Sequence, residues 1–361
     1  MTTSDVIIEV AGSDRRLVTP PLRVVESSPP PFVPHRLLAG FHRQTIAASL
    51  LRIAREPQSV IREVRVNENN SLRTRCTWHE PDRVEQGRPV MVLLHGMGGS
   101  AGSPYMRGTA SKAFDAGFDV VRINQRGADG TAALADRPYN AALVGDVAAV
   151  FDALAAEGRG PFALVGFSLG GNCALRFAGL EGEALRDRGV VAVAAVSPSV
   201  DLPTCGDAID NDPRVQVYKK RFVRELVALA EEFHVAGKGH GRAGDLRGIT
   251  SLRDFDDLWT APLHGFGGAD EYYERTSALP VLENIAVPTL VMHARDDHLV
   301  PGNTLEELEL PSYSPVRRII TDSGGHCAYI ARRGASEDGV GDSDRMWAEH
   351  RVIRFAVRAL I

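Results

Sequence analysis

The sequence predicts an α/β protein in which a mostly parallel sheet carries helices on both faces. Short apolar runs of strand length recur along the chain, and longer segments with helical spacing separate them. The runs are apolar throughout, which is typical of parallel strands buried between two layers of helices. The predicted strands are Arg73–Trp78, Val90–Leu94, Phe118–Ile123, Phe162–Val165, Val190–Val196, Thr289–Met292 and Val316–Thr321. A helix is predicted over Tyr139–Ala155.

The alternation of strands and helices stops in one long stretch, which suggests an insertion. Between Ser197 and Ala278 the pattern becomes helical and rich in aromatic residues, so we expect a helical lid over one end of the sheet. The Pro-rich beginning of the chain predicts an extended arm. The predicted organisation is an arm over residues 1–56, a core over residues 57–198 and 279–361, and the lid over residues 199–278.

The composition excludes several classes of protein. The chain has 41 basic and 46 acidic residues and a net charge of −5, so a nucleic-acid partner is not expected. The four cysteines are widely spaced, which predicts neither a metal site nor a disulfide framework and favours the cytoplasm. No apolar run approaches the ~18 residues that a membrane span needs. We therefore expect a cytoplasmic protein with no integral membrane segment.

The segment Gly166–Gly171 matches the pattern of a nucleophile elbow, with Ser168 at its centre. In such an elbow a serine sits on a strained turn between a strand and a helix, where side chains at the flanking glycines would clash. The segment follows a predicted strand and precedes residues that can form a helix. This context predicts Ser168 as a nucleophile, whereas the alternative is a glycine-rich turn with a structural serine.

A second glycine-rich loop, His95–Gly99, follows the predicted strand Val90–Leu94. It lacks the sequence features of a P-loop and of a dinucleotide site, so we expect no cofactor. Backbone N–H groups in such a loop can face a substrate oxygen. We predict an oxyanion hole formed by the N–H groups of Met97 and Leu169.

Two further residues complete a catalytic triad. Asp297 follows the predicted strand Thr289–Met292, with Asp296 as its rival, and His326 follows the last predicted strand. The chain order of serine, aspartate and histidine is the hydrolase order and differs from that of chymotrypsin or subtilisin. We predict His326 as the base and Asp297 as the acid that orients it. Cys173 and Cys327 are interpreted as packing residues, and His95 and His293 as supports for loops.

Beyond the elbow, several segments resemble the AB hydrolase type 4 branch of the α/β-hydrolases, the YheT-like esterases. Those segments are His95–Ser100 with Ser103–Tyr105, Asn124–Gly127, Arg253–Asp256 with Gly265–Phe266 and Tyr272–Tyr273, and Pro31–Pro34 with His42–Thr45. The chain departs from the branch at Ala128, where a cysteine is usual, at Asn140, where a histidine is usual, and at His298, where proline is preferred.

The resemblance implies the α/β-hydrolase fold and hydrolysis of carboxylic esters, often with short- to medium-chain acyl groups. The expected partner is a small-molecule ester. Three alternatives remain open. They are an acyltransferase that uses the same acyl-enzyme, a lipase or phospholipase acting at a membrane surface, and a binding protein that keeps the fold without activity.

Overall fold

A computed structural model describes residues 29–50, 58–238, 246–333, 336–337 and 340–361. Among these residues eight strands form the central sheet: β1 (Val60–Arg65), β2 (Ser71–Thr77), β3 (Val90–Leu94), β4 (Asp119–Ile123), β5 (Phe162–Phe167), β6 (Val190–Val196), β7 (Thr289–Ala294) and β8 (Val316–Thr321). A short hairpin of β9 (Ser336–Glu337) and β10 (Val340–Gly341) lies apart from this sheet.

The order of the strands creates a crevice at the carboxyl ends of the central strands. The order is β1-β2-β4-β3-β5-β6-β7-β8. Strand β2 is antiparallel to both of its neighbours, and the six strands β3 to β8 are all parallel. From β3 the chain continues to one side, to β4, and then crosses to the other side, to β5. Loops that leave β3 and β5 therefore diverge, and ligands of open α/β sheets bind at such a point.

The helices are α1 (Phe41–Leu50), α2 (Pro104–Asp115), α3 (Val144–Ala156), α4 (Leu169–Glu181), α5 (Ala184–Asp187), α6 (Leu202–Asn211), α7 (Gln216–Val235), α8 (Leu252–Phe255), α9 (Ala261–His264), α10 (Ala269–Thr276), α11 (Asn303–Glu307) and α12 (Trp347–Leu360). One face of the sheet packs against α3 and α4, and the other packs against α2 and α12. The five central strands β3 to β7 are buried almost throughout, which confirms the predicted parallel sheet between two helical layers.

The segment between β6 and β7 is helical, as predicted for the insertion. It contains α6 to α10, and a π-helical turn joins α8 to α9. Its aromatic residues Phe255, Trp259, Tyr272 and Tyr273 are buried in two clusters, which also include Ala132, Ala135 and Ala141 of the core. Burial of these rings holds the short helices together over the carboxyl ends of the strands.

Three details differ from the sequence prediction. Helix α1 lies in the predicted arm over residues 1–56, of which residues 1–28 and 51–56 are outside the described residues. Strand β1 was not predicted, because it lies at the edge of the sheet and its sequence VIREVR mixes exposed charged and apolar residues. The helix predicted from Tyr139 begins only at Val144, because the preceding residues form a turn that lines the site described below. Among the described helices, none is long and apolar enough to cross a bilayer.

Candidate active site

Ser168 stands on a sharp turn between β5 and α4, where its backbone has a φ of 53°. Three neighbouring glycines make this turn possible. A Cβ atom at Gly166 would lie 2.1 Å from the carbonyl oxygen of Gly170, and one at Gly170 would lie 2.4 Å from the carbonyl oxygen of His95. At Gly171 it would lie 2.9 Å from Pro198. Such distances exclude any side chain, so the glycines let the backbone hold Ser168 at the edge of the sheet.

The structure brings together the three side chains predicted as a triad. The Nε2 atom of His326 lies 2.9 Å from the hydroxyl oxygen of Ser168, and its Nδ1 atom lies 2.7 Å from the carboxylate of Asp297. The loops after β5, β7 and β8 carry the three residues, although 158 positions separate Ser168 from His326 along the chain. The hydroxyl can therefore donate its proton to an imidazole whose orientation the carboxylate holds.

The two adjacent aspartates have different partners. Asp297 is 2 % exposed, and its second carboxylate oxygen accepts hydrogen bonds from the N–H groups of Leu299 (3.0 Å) and Val300 (3.2 Å). Asp296 accepts a hydrogen bond from the N–H of Gly325 at 2.9 Å. Asp297 therefore contacts the imidazole of His326 directly, whereas Asp296 contacts the backbone of the loop that carries His326.

The electrostatic environment couples the acid to the base. Burial opposes the charged form of Asp297, but the adjacent His326 outweighs burial and lowers the pKa of this carboxyl. Burial also opposes the imidazolium form of His326, yet the Asp297 carboxylate raises the pKa of the imidazole well above 6.5. The pair is therefore arranged to stabilise a positive charge on the imidazole after a proton transfer.

The glycine-rich loop after β3 lies against the nucleophile. A Cβ at Gly96 would be 3.0 Å from the Cβ of Ser168, so the loop backbone and the serine are in contact. The N–H groups of Gly96 and Gly98 donate to the hydroxyls of Tyr105 (3.0 Å) and Tyr139 (2.8 Å).

Between these two anchored groups lies the N–H of Met97, one of the predicted oxyanion donors. Within the part of the chain that the structure describes, neither this group nor the N–H of Leu169, at the beginning of α4, donates to a protein acceptor. His95 supports the loop as predicted, since its Nε2 accepts from the Gln125 N–H at 3.1 Å and burial lowers its pKa to about 4.

Helix α1 anchors the loop after β8 that carries His326, here called the histidine loop. This role was not predicted from the sequence. The hydroxyl of Thr45 accepts a hydrogen bond from the N–H of His326 at 3.0 Å. The side chain of Gln44, which is fully buried, bonds both the N–H (2.7 Å) and the carbonyl (3.1 Å) of Ile330. Both residues belong to the segment His42–Thr45, whose resemblance to the esterase branch was the available signal.

The two cysteines close to the site make packing contacts. The thiol of Cys173 is buried and lies 3.9 Å from the carbonyl of Ala141, and burial raises its pKa to about 12. The thiol of Cys327 lies 3.5 Å from the carbonyl oxygen of Val196. Thiolate formation is therefore suppressed at Cys173, which agrees with the packing role predicted from the sequence.

Ser168 and His326 lie on the wall of a cavity of about 930 Å³. The walls come from α1, the loop after β3, the insertion and the histidine loop. Apolar side chains form much of its surface; they include Leu202, Ile209, Leu226, Leu252 and Val300. A cavity of this size and character accommodates a small organic molecule next to the serine.

Comparisons with known proteins agree with this fold. A family model described as alpha/beta hydrolase fold matches residues 89–332. The putative esterase YheT of Escherichia coli strain K12 is 31% identical over 330 residues, which cover 90% of this chain and 93% of that protein. The monoacylglycerol lipase of Saccharomyces cerevisiae is 25% identical over 307 residues, which cover 80% and 64% of the two chains.

Among solved structures, the Pyrococcus furiosus esterase Pf2001 superposes with a TM-score of 0.52 at 14% identity, covering 91% of this chain and 100% of the other, and it supports the fold alone. The chain therefore belongs to the alpha/beta hydrolase family. Within this family of hydrolases, its similarity to YheT over nearly the whole length places it in the YheT-like branch, as the resemblance predicted.

Proposed function

We propose that this protein hydrolyses carboxylic esters with short- to medium-chain acyl groups through an acyl-enzyme on Ser168. The observation that carries the proposal is the continuous hydrogen-bonded chain from Asp297 through His326 to Ser168 at the wall of the cavity. The name of the putative esterase YheT, which is similar over most of its length, supports the same activity.

In the first step the hydroxyl oxygen of Ser168 bonds to the ester carbonyl carbon, and Nε2 of His326 takes the hydroxyl proton. The carbonyl oxygen becomes an oxyanion that accepts hydrogen bonds from the N–H groups of Met97 and Leu169. Asp297 stabilises the imidazolium that forms. The tetrahedral intermediate then collapses, the bond to the alcohol oxygen breaks, and His326 returns the proton to the leaving alcohol.

The second step regenerates the enzyme. A water molecule attacks the acyl carbonyl and gives a proton to His326, and the same N–H groups bind the second oxyanion. When this intermediate collapses, the bond to Ser168 breaks and the serine recovers its proton from His326. The carboxylic acid leaves, and neither step requires a metal or an organic cofactor.

The test is the Ser168→Ala variant with chromogenic esters of increasing acyl-chain length. We expect activity to fall by a factor of roughly 10³ or more, because the nucleophile is lost. The control is Cys327→Ala, which removes a thiol from the same cavity and should keep most of the activity. A fluorophosphonate probe should label the native protein and leave Ser168→Ala unlabelled. Labelling of both proteins, or of neither, would contradict Ser168 as the activated nucleophile.

The mouth of the cavity favours lipid esters as a second candidate substrate. Leu50 at the end of α1 is 74% exposed, and Val217 at the beginning of α7 is 78% exposed. Both line the cavity, as do the exposed cations Lys220 and Arg224. Because exposed apolar groups next to cations favour contact with anionic membranes, the enzyme could take its substrate from a lipid surface.

Sedimentation with phosphatidylglycerol vesicles tests this second candidate. Val217→Asp should weaken binding to the vesicles, whereas Val235→Asp at the far end of the same helix, 87% exposed in the native chain, should not. Equal binding by both variants would contradict contact through the mouth.

We also propose a cytoplasmic location for this protein. All four cysteines are free thiols, a state that a reducing compartment preserves. Cell fractionation with an antibody against the native chain would test the location.

A further inference from the structure

Three successive backbone N–H groups of the histidine loop are each bound by a side chain from a different segment. The donors and their side-chain acceptors are Gly325 with Oδ1 of Asp296 (2.9 Å), His326 with Oγ1 of Thr45 (3.0 Å) and Cys327 with Oγ of Ser197 (3.1 Å). The acceptors belong to the loop after β7, to helix α1 and to the loop after β6. The main chain that carries the imidazole is therefore held by three segments that are far apart in the sequence.

The conformation of the histidine loop is strained. Gly325, Cys327 and Tyr329 all have a φ in the left-handed region, at 60°, 57° and 47°. This region is unfavourable for residues with a side chain, so it persists only where surrounding contacts outweigh its cost. The three hydrogen bonds at the centre of the loop are contacts of this kind.

Helix α1 packs against the loop before and after His326. A Cβ atom at Gly325 would lie 2.8 Å from Oγ1 of Thr45 and 2.8 Å from the Cβ of Gln44, so the helix and the loop are in contact. Farther along the loop, the side chain of Gln44 bonds both backbone groups of Ile330. The helix thus leaves the backbone of His326 little room to move.

We propose that three positioning residues hold Nε2 of His326 within proton-transfer distance of Ser168; they are Thr45, Ser197 and Asp296. The Nε2 atom lies 2.9 Å from the serine hydroxyl oxygen, and a displacement of about 1 Å can cost about 10²-fold in rate. This inference rests on the proposed function, because the proton transfer is a step of the ester hydrolysis.

The contribution of these residues differs from that of Asp297. The Asp297 carboxylate meets Nδ1 of His326 and determines the tautomer of the imidazole. The three other acceptors fix the backbone from which the imidazole extends. Their loss therefore displaces the base and leaves the partner of Nδ1 in place.

The experiment separates positioning from folding by the kinetics of labelling with a fluorophosphonate. The amount of protein labelled at completion counts the folded molecules, whereas the rate constant depends on the proton transfer from Ser168 to His326. Thr45→Val keeps the shape of the side chain and removes the acceptor. We expect its labelling rate constant, and its kcat for a chromogenic butyrate ester, to fall by about 10- to 10²-fold. KM should stay within about twofold, because acylation and deacylation both use His326. Ser197→Ala should behave in the same way.

Two further variants serve as rescue and control. Thr45→Ser keeps a hydroxyl acceptor and should retain at least about half of the native rate constant. Ser251→Ala is the matched control, since it removes a hydroxyl that also accepts from a backbone N–H at 3.0 Å, that of Asp254. Ser251 precedes α8 and does not line the cavity, so the native rate constant is expected.

Native rate constants with fewer labelled molecules in Thr45→Val and Ser197→Ala would show that the acceptors only stabilise the fold, and would overturn the proposal. A Thr45→Ser rate constant as low as that of Thr45→Val would do the same. If Thr45→Val does not fold, Ser197→Ala and Asp296→Ala provide the same measurement. A native protein that neither hydrolyses the ester nor reacts with the probe would contradict the proposed function itself, whereas an active native protein with unaffected variants contradicts only the positioning.

Discussion

Replacement of Asp297 by asparagine should disable the base by forcing the wrong tautomer on it. One carboxylate oxygen of Asp297 accepts from the N–H groups of Leu299 and Val300, and the other faces Nδ1 of His326. In Asp297→Asn the single acceptor oxygen has to serve the two backbone groups, so the amide NH₂ faces Nδ1. The imidazole then carries its proton on Nε2, which can no longer accept the proton of Ser168.

The hydrogen bonds around residue 297 determine how strongly Asp297→Asn prefers the wrong tautomer of His326. Flipping the amide to restore the tautomer would leave two backbone N–H groups facing donors, at a cost of roughly 2 kcal/mol or more. The wrong tautomer is therefore strongly preferred. We expect kcat to fall by about 10⁴, which corresponds to roughly 5.5 kcal/mol in the activation free energy.

The assay is steady-state hydrolysis of a chromogenic butyrate ester, with the adjacent Asp296→Asn variant as the matched control. Asp296 accepts from the N–H of Gly325, and an amide oxygen can still accept this bond. We therefore expect Asp296→Asn to lose less than about tenfold in kcat. If Asp297→Asn keeps more than a tenth of the activity while Asp296→Asn loses most of it, the tautomer argument is wrong and Asp296 is the acid.

The remaining predictions concern pH and backbone space. The base must be neutral, and Asp297 raises the pKa of His326, so kcat/KM should fall as pH decreases through an apparent pKa above 6.5. In Asp297→Asn this apparent pKa should be lower, because the carboxylate is lost. An unchanged apparent pKa in the variant would show that another group titrates. Gly170→Ala places a Cβ 2.4 Å from the carbonyl oxygen of His95 and should lower the free energy of unfolding by about 3 kcal/mol. Gly145→Ala, exposed in α3 with no atom within 4 Å of its added Cβ, should raise it by up to ~1 kcal/mol. Denaturant unfolding measures both, and a stable Gly170→Ala protein would contradict the tight packing of the elbow.

Much of the fold follows from local patterns in the sequence. The runs Val90–Leu94, Phe162–Val165 and Val190–Val196 are apolar at every position, and only a strand covered on both faces buries such a run completely. The glycines around Ser168 predicted the strained turn, because a requirement for absent side chains is visible in the sequence itself. The structure brings Ser168 and His326 into contact as expected, while their catalytic roles remain predictions to be tested.

Other features depended on contacts between distant segments. Strand β1 is an edge strand whose mixed sequence resembles that of a surface segment, so its pairing with β2 is decided by the neighbouring strand. Asp296 and Asp297 are adjacent in sequence, and only the path of the loop after β7 decides which carboxylate meets His326. The support that Thr45 gives to His326 joins residues 281 positions apart.

The sequence by itself determined the parallel sheet, the strained serine turn and the order of the three candidate residues, because these depend on burial patterns and steric limits within short segments. The sequence also favoured Asp297 over Asp296 as the partner of His326, and the path of the loop after β7 brings that carboxylate to the imidazole. Tertiary structure alone decided how α1 anchors the loop that carries His326 and how the insertion closes over the cavity. These contacts join segments far apart in the chain, and their hydrogen bonds form only when packing of the sheet and the insertion fixes the distances.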